Sequence, residues 1–180
     1  MEIRIAGFGG QGVILCGHIL GKAAAIYGNK FAVMTQSFGP EARGGAASSC
    51  LIISDEKILY PYLSRPDIFI AMSQEACTKY VEDLKEGGTL IIEEELVKLD
   101  PEPQNARILR VPATRIAEQA GKKVVLNIVM LGFIIGAAKV LDKDVVLKAV
   151  IASVPKGTEE MNRNAFEGGY EYALSQVKGN

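Results

Sequence analysis

The stretch that most constrains this chain is its first turn, Gly7-Phe8-Gly9-Gly10-Gln11-Gly12, set between Glu2-Ile3-Arg4-Ile5-Ala6 and an apolar run from Val13. The residues before it alternate and carry two isoleucines, as a short strand does. Val13 to Tyr27 is dominated by Ala, Leu and Ile, which predicts a helix. A strand that turns through glycines into a helix leaves backbone N–H groups exposed at the positive end of that helix. This is a physical anion site, suited to phosphate or carboxylate.

Taken literally, Gly7, Gly9 and Gly12 also satisfy the G-x-G-x-x-G spacing of dinucleotide folds. Such a site wants an Asp or Glu at the end of the second strand to bond the ribose hydroxyls. Here that region is Val33-Met34-Thr35-Gln36, which has no acid. A stand-alone Rossmann-like NAD(P)-binding dehydrogenase is therefore the alternative reading. The plain structural one is a tight turn whose glycines let helix pack closely on sheet.

Further along, Phe31-Ala32-Val33-Met34-Thr35 predicts a second strand, and Gln36 to Gly45 a loop punctuated by Gly-Pro and Gly-Gly. Ala46 to Ser54 predicts a third strand, able to pair antiparallel with the second across that loop and so make the sheet mixed. Ile68 to Met72 is a continuous apolar run, typical of a central strand. Ser73 is suited to cap a helix from Gln74 to Lys85, which Gly87-Gly88 ends. Strands follow at Thr89–Glu93 and Ala106–Val111, and Pro112 opens a short helix ending near Gly121. The remainder is helical by pattern: Leu126 to Leu141, Asp144 to Val154 and Glu159 to Val177. The expected architecture is one domain over residues 1–180, a three-layer α/β/α fold with a mixed, mainly parallel sheet and a helical C-terminal third.

Composition excludes several classes of function. Twenty basic residues nearly cancel twenty-one acidic ones, so there is no basic stripe for nucleic acid. The three cysteines, Cys16, Cys50 and Cys77, lack C-x-x-C spacing, which argues against an iron–sulfur cluster or structural zinc held by this chain. Scattered thiols without a secretory signal fit a reduced, cytoplasmic protein. Val124 to Leu141 is apolar enough to suggest a membrane span, but Asn127, Gly132, Gly136 and Lys139 interrupt it, so a buried helix is expected.

Two polar features stand out besides the turn. Arg43-Gly44-Gly45 puts a guanidinium beside unhindered backbone, a setting in which arginine clamps phosphate or carboxylate, or simply pairs with Glu41. Asn127 sits in an otherwise apolar helix, and a buried amide needs partners: a nearby backbone group, a ligand or another chain. His18 on the first helix has no neighbouring ligand or nucleophile and reads as a packed or partly exposed helix residue. Lys122-Lys123 reads as a solvated turn. No nucleophile–base pair assembles from the rest, and no catalytic residue is expected on this chain.

With these residues in hand, the chain resembles the gamma subunit, or gamma domain, of the 2-oxoacid:ferredoxin oxidoreductases. Gly7 to Gly12 with Gly17 resembles the opening G-x-G-G-Q-G turn of the family. Ser37-Phe38-Gly39-Pro40-Glu41-Ala42-Arg43-Gly44-Gly45 resembles its S-[YF]-G-P-E-x-R-G-G loop, the most specific of the matches. Asn127-Ile128-Val129-Met130-Leu131-Gly132 resembles its N-x-x-x-L-G helix start. Asn164-Ala165-Phe166 through Tyr170 resembles its closing N-x-x-A-F-x-x-G-Y segment, with a shorter Asn-to-Ala spacing.

The resemblance implies a supporting part of a larger enzyme. That enzyme converts a 2-oxoacid and coenzyme A to acyl-CoA and carbon dioxide and passes two electrons to ferredoxin. It implies alpha and beta subunits, and a ferredoxin-like delta subunit in some members. Thiamine diphosphate and the iron–sulfur clusters are held by those partners, with no cofactor bound by this chain alone. By carry-over, Gly9, Gly10, Gln11, Gly12, Arg43, Gly44 and Gly45 are the expected contacts to coenzyme A phosphates or to a neighbouring subunit. Ala46-Ala47-Ser48-Ser49 after the loop resembles the 2-oxoglutarate type more than the pyruvate type, with indolepyruvate and branched-chain versions open.

Overall fold

The computed structural model describes residues 1–39 and 46–178. Its centre is a six-stranded sheet of β1 (Glu2–Phe8), β2 (Phe31–Phe38), β3 (Ala46–Ser54), β4 (Ile68–Ala71), β5 (Thr89–Glu93) and β6 (Arg107–Val111), in the order β2-β3-β1-β4-β5-β6. β1, β4, β5 and β6 pair in parallel. β3 runs antiparallel to both β1 and β2 and is the reversed strand of a mixed, mainly parallel sheet, as expected.

Two strands run longer than the sequence reading. β1 continues past Ala6 through Gly7 and Phe8, because β3 offers Ala47 and Ala46 as partners to the end. β2 continues through Gln36, Ser37 and Phe38, expected to be loop, because Ser49, Ser48 and Ala47 of β3 lie opposite them. A waiting ladder overrides weak intrinsic strand preference.

The helices are α1 (Val13–Lys22), α2 (Gln74–Tyr80), α3 (Ala113–Ala120), α4 (Leu126–Ala138), α5 (Lys143–Ile151) and α6 (Glu159–Lys178). A π-helical turn over Ala23–Tyr27 extends α1, and a 3₁₀ turn over Val81–Asp83 extends α2. Ser73 caps α2 as expected, its hydroxyl accepting from the Ala76 amide at 3.3 Å.

Alternation along the strands sends side chains into two unequal layers. Ile3, Ile5, Leu51, Ile53, Ile70 and Ile91 share one core with α1, α3, α4, α5 and α6. Phe69, Ala71, Leu90 and Ile92 face the other way, against Ala76 and Cys77 of α2 and Val97 of the following connector. The helical third therefore packs on the sheet and does not project from it. Leu126 to Gly136 of α4 are buried, so the cover this apolar helix requires comes from its own chain. Among the described residues no helix is long and apolar enough to cross a membrane.

Close α4–α6 packing depends on missing side chains. A Cβ on Gly132 would overlap the Phe166 carbonyl, one on Gly169 would overlap the Val129 carbonyl, and one on Gly136 would lie 2.8 Å from the Tyr170 carbonyl oxygen. The third and fourth motifs of the sequence are thus two halves of one helix–helix contact.

Candidate anion-binding site and family membership

β1 feeds α1 onto one face of the sheet, while its parallel neighbour β4 feeds α2 onto the other. The carboxyl ends of these strands therefore frame a topological switch point, where open α/β sheets leave a crevice. The glycine turn sits there. Gly10 and Gly12 hold φ of +98° and +74°, backbone that L side chains rarely adopt. Gly12 is the left-handed N-cap of α1; no side chain caps the helix, and its first turn has no acidic residue. The opening amides of α1 consequently keep no intrahelical acceptor, since the ladder begins with Cys16 N–H donating to the Gly12 carbonyl at 3.0 Å.

Gln11 holds the turn in shape. Its Oε1 accepts from the Phe8 amide at 2.6 Å, and its Nε2 donates to the Met72 carbonyl at 2.8 Å, tying the ends of β1 and β4 together. Its own amide donates to the Phe8 carbonyl at 3.1 Å. Both ends of the Gln11 side chain are thus bonded within the fold, which makes it a positioning residue. Gly7 is bare for the same reason, since a Cβ there would lie 2.5 Å from Gln11 Oε1.

Asn127 lies on the other side of the turn. It is 4% exposed, and a Cβ on Gly12 would lie 2.8 Å from its amide carbon and closer still to Nδ2. The Cys16 thiol donates to the Asn127 carbonyl at 3.3 Å, which fastens the start of α4 against α1. Burial pushes the Cys16 thiol up, only partly offset by that hydrogen bond. Among the described residues the Asn127 side-chain amide makes no hydrogen bond.

A cavity of about 300 Å³ opens beside the turn, lined by Gly10, Gln11, Leu96, Thr114, Lys123, Val124 and Leu126. Its wall is set by Glu93, which is 0% exposed and accepts from the amides of Glu95 (2.8 Å), Leu96 (2.7 Å) and Thr114 (3.0 Å). This role is not legible from residue pattern, because a strand-end glutamate followed by two more reads as solvated charge. Lys123, expected to be a solvated turn, borders the cavity and pairs with Glu118 at 3.1 Å. His18 is exposed on α1.

Of the predicted site residues, Gly9, Gly10, Gln11 and Gly12 stand together at the switch point, while Arg43, Gly44 and Gly45 lie outside the described residues. The residues flanking that loop are placed: Ala46 pairs with Phe8, and the Gly39 amide donates to the Ala46 carbonyl at 2.6 Å. Among the described residues, the end of β2 carries no ribose-binding acid in three dimensions either. The strand beside β1 is the reversed β3, which offers Ala46, Ala47 and Ser48 at that end. In the closing motif the buried asparagine is Asn162, not Asn164. Asn162 donates to the Thr158 carbonyl at 2.8 Å, and its spacing to Ala165 restores the full N-x-x-A-F-x-x-G-Y pattern.

The family model for pyruvate ferredoxin/flavodoxin oxidoreductase matches residues 2–172. The chain belongs to this family. It is similar to the 2-oxoglutarate synthase subunit KorC of Methanocaldococcus jannaschii, 52% identical over 96% of this chain and 93% of that one. It is 49% identical to the KorC subunit of Methanothermobacter marburgensis, over 98% of each chain. Among solved structures, the gamma subunit of a keto/oxoacid ferredoxin oxidoreductase from Geobacter sulfurreducens superposes with a TM-score of 0.86 at 44% identity, covering 97% of this chain and 98% of that one. The resemblance read from the four motifs is borne out, and membership of a multi-subunit oxidoreductase family implies other subunits. A free-standing dehydrogenase is not favoured.

Iron–sulfur ligation by this chain does not fit its donors. Cys16 lies in the core on one side of the sheet and Cys77 in the core on the other, so the cysteines cannot converge on a cluster.

Proposed function

We propose that this chain is the gamma subunit of a cytoplasmic 2-oxoglutarate:ferredoxin oxidoreductase, folded as one gamma-type domain over residues 1–180. The complex converts 2-oxoglutarate and coenzyme A to succinyl-CoA and carbon dioxide, with two electrons passing to ferredoxin. Alpha and beta subunits, and a ferredoxin-like delta subunit where present, hold thiamine diphosphate and the clusters. The observation that carries the substrate assignment is the near end-to-end similarity, at about half identity, to subunits named for 2-oxoglutarate synthase.

The chain's own part is to bind and orient. Gly9, Gly10 and Gly12 present the amides of α1, Gln11 fixes their geometry, and Arg43, Gly44 and Gly45 are assigned contacts to the phosphates of coenzyme A or to a neighbouring subunit. Support comes from Ala46, which follows Gly45 and pairs with Phe8 beside the turn. Subunit contact is supported by exposed apolar groups that a free domain would bury: Phe38, Leu59, Tyr60 and Tyr62, each more than half exposed.

The test is reconstitution with the larger subunits and assay on a panel of oxoacids. Succinyl-CoA formation should lead the panel, and Arg43→Ala should raise the Michaelis constant for coenzyme A while the complex stays assembled. An unchanged constant would leave the loop with a purely architectural role. Preference for pyruvate would overturn the substrate assignment.

A further inference from the structure

We propose that β2 is a self-pairing edge. Two copies of this chain join antiparallel along it, about a twofold axis at Thr35, and each seats Phe38 in a cleft of the other. The coenzyme A reading above is independent of this pairing and stands whether or not the pairing does.

The two edges of the sheet are unlike. β6 carries Arg107 and Arg110, and charge on an edge opposes the addition of another strand. β2 runs Phe-Ala-Val-Met-Thr-Gln-Ser-Phe, with no charge and no proline, and pairs with β3 at every position without a bulge. So long, even and uncharged an edge is open to a further strand.

The ladder fixes which groups that edge offers. The Gly39 amide donates to the Ala46 carbonyl at 2.6 Å, which makes these two residues a hydrogen-bonded pair. Bonded and non-bonded pairs alternate in an antiparallel ladder, so Phe31, Val33, Thr35 and Ser37 turn their N–H and C=O groups toward β3. The far side of β3 has the same phase. Ile53, opposite Ala32, exchanges its backbone hydrogen bonds with Met1, at 2.9 and 2.8 Å. Ala32, Met34, Gln36 and Phe38 therefore point their backbone groups outward. Antiparallel pairing of two β2 strands satisfies all of these groups in a single register. In it Ala32 lies opposite Phe38 of the second copy, Met34 lies opposite Gln36, and Thr35 lies opposite itself.

Side chains favour the same register. Alternation places Ala32, Met34 and Phe38 on the face of the sheet that carries α1. Phe38 is 65% exposed there. A cleft of about 170 Å³ lies between α1 and β2, lined by Gly17, Gly21, Ala32, Met34 and Leu51, with the exposed His18 beside them. Setting Phe38 opposite Ala32 brings the ring of each copy to the cleft of the other. One strand thus carries an exposed apolar knob at one end and a hole at the other, and a twofold pairing fills both at once. That complementarity is why the partner is a second copy: the edge hydrogen bonds supply attraction and the cleft selects the register.

Sedimentation of the full chain tests the pairing and should show a dimer that dissociates on dilution. Cys50 lies opposite Thr35 on β3, so cross-linking is run in a Cys50→Ser background. There Thr35→Cys should form an intermolecular disulfide on mild oxidation, because facing residues of a non-bonded pair stand about 4.5 Å apart, within disulfide reach. Val33→Cys, roughly 14 Å from its own counterpart in this register, should not. Gly21→Leu fills the cleft and Thr35→Lys sets like charges face to face at the axis; each should weaken dimerisation about tenfold or more. Should either fail to fold, Gln36→Pro removes an outward N–H without touching the β3 ladder and should have the same effect. A monomer at every concentration overturns the pairing, as does a dimer that none of the three variants weakens. Cross-linking through Val33→Cys and not Thr35→Cys overturns the register. If the free chain is monomeric and Thr35→Lys instead blocks assembly with the larger subunits, the edge belongs to them and self-pairing falls.

Discussion

The α-carbon of Gly132 in α4 rests against the carbonyl of Phe166 in α6, with no room between them for a methyl group. Gly132→Ala should therefore force the two helices apart. Overpacking of a buried contact costs typically about 1–3 kcal/mol, and a backbone obstacle that cannot rotate away puts this site at or above the upper end. A helical glycine elsewhere gives the contrast. A Cβ on Gly21 would meet only Leu51 Cδ1, at an ordinary 3.4 Å, so Gly21→Ala should be neutral or stabilise by up to about 1 kcal/mol. Thermal melts of the two variants should move in opposite directions or differ clearly in size.

Glu93 should be intolerant of even an isosteric change. Its two oxygens accept three backbone hydrogen bonds in a fully buried position. Glu93→Gln replaces one acceptor with a donor that faces an amide N–H, which should cost about 1–3 kcal/mol. It should also loosen the Leu96 and Thr114 wall of the cavity. Denaturant midpoints measure the first effect; the coenzyme A Michaelis constant of the reconstituted enzyme measures the second.

Thiol reactivity should single out Cys50. Cys16 and Cys77 are buried, and burial pushes both thiols up, away from the reactive thiolate. Cys50 is partly exposed on β3, opposite Arg4 of β1. Alkylation of the folded chain followed by peptide mass analysis should label Cys50 rapidly and the other two only after unfolding.

Acid should remove one defined contribution to stability. The Asp67 carboxyl is partly desolvated, which would raise its pKa, but the hydrogen bonds and charge from Lys85 (2.8 Å) and the Glu2 amide (2.9 Å) outweigh this and hold it below its ordinary 3.8. A depressed folded-state value means the contribution is complete above the unfolded value near 3.8 and is lost as pH falls below it toward the folded value. Urea unfolding should show wild type losing stability across that window, with Asp67→Asn lower at neutral pH and lacking this share of the acid loss. Parallel curves would show that Asp67 carries none of it.

Element type and order were legible from residue pattern, because periodicity and punctuation are local properties. Ile68 to Ala71 reads as a central strand from its unbroken apolar run, and Ser73 as a cap from its place before Gln74. The four motifs carried the family in the same way, since their residues are close in sequence. The lengthening of β2 through Phe38 was not legible, because it depends on β3 lying alongside. Nor was the cavity, whose walls come from the ends of β1, β5 and β6 and the start of α4.

The sequence by itself determined that β1 turns through glycines into α1, leaving amides for an anion, and that Asn127 interrupts a helix with no polar face. It left open what Asn127 meets. Tertiary structure decided that: residues 115 positions apart in sequence come together because α4 packs on α1, so that the asparagine stands beside Gly12. Backbone conformation is set mostly by neighbours in the chain, whereas a buried polar group is partnered by whatever packing brings to it.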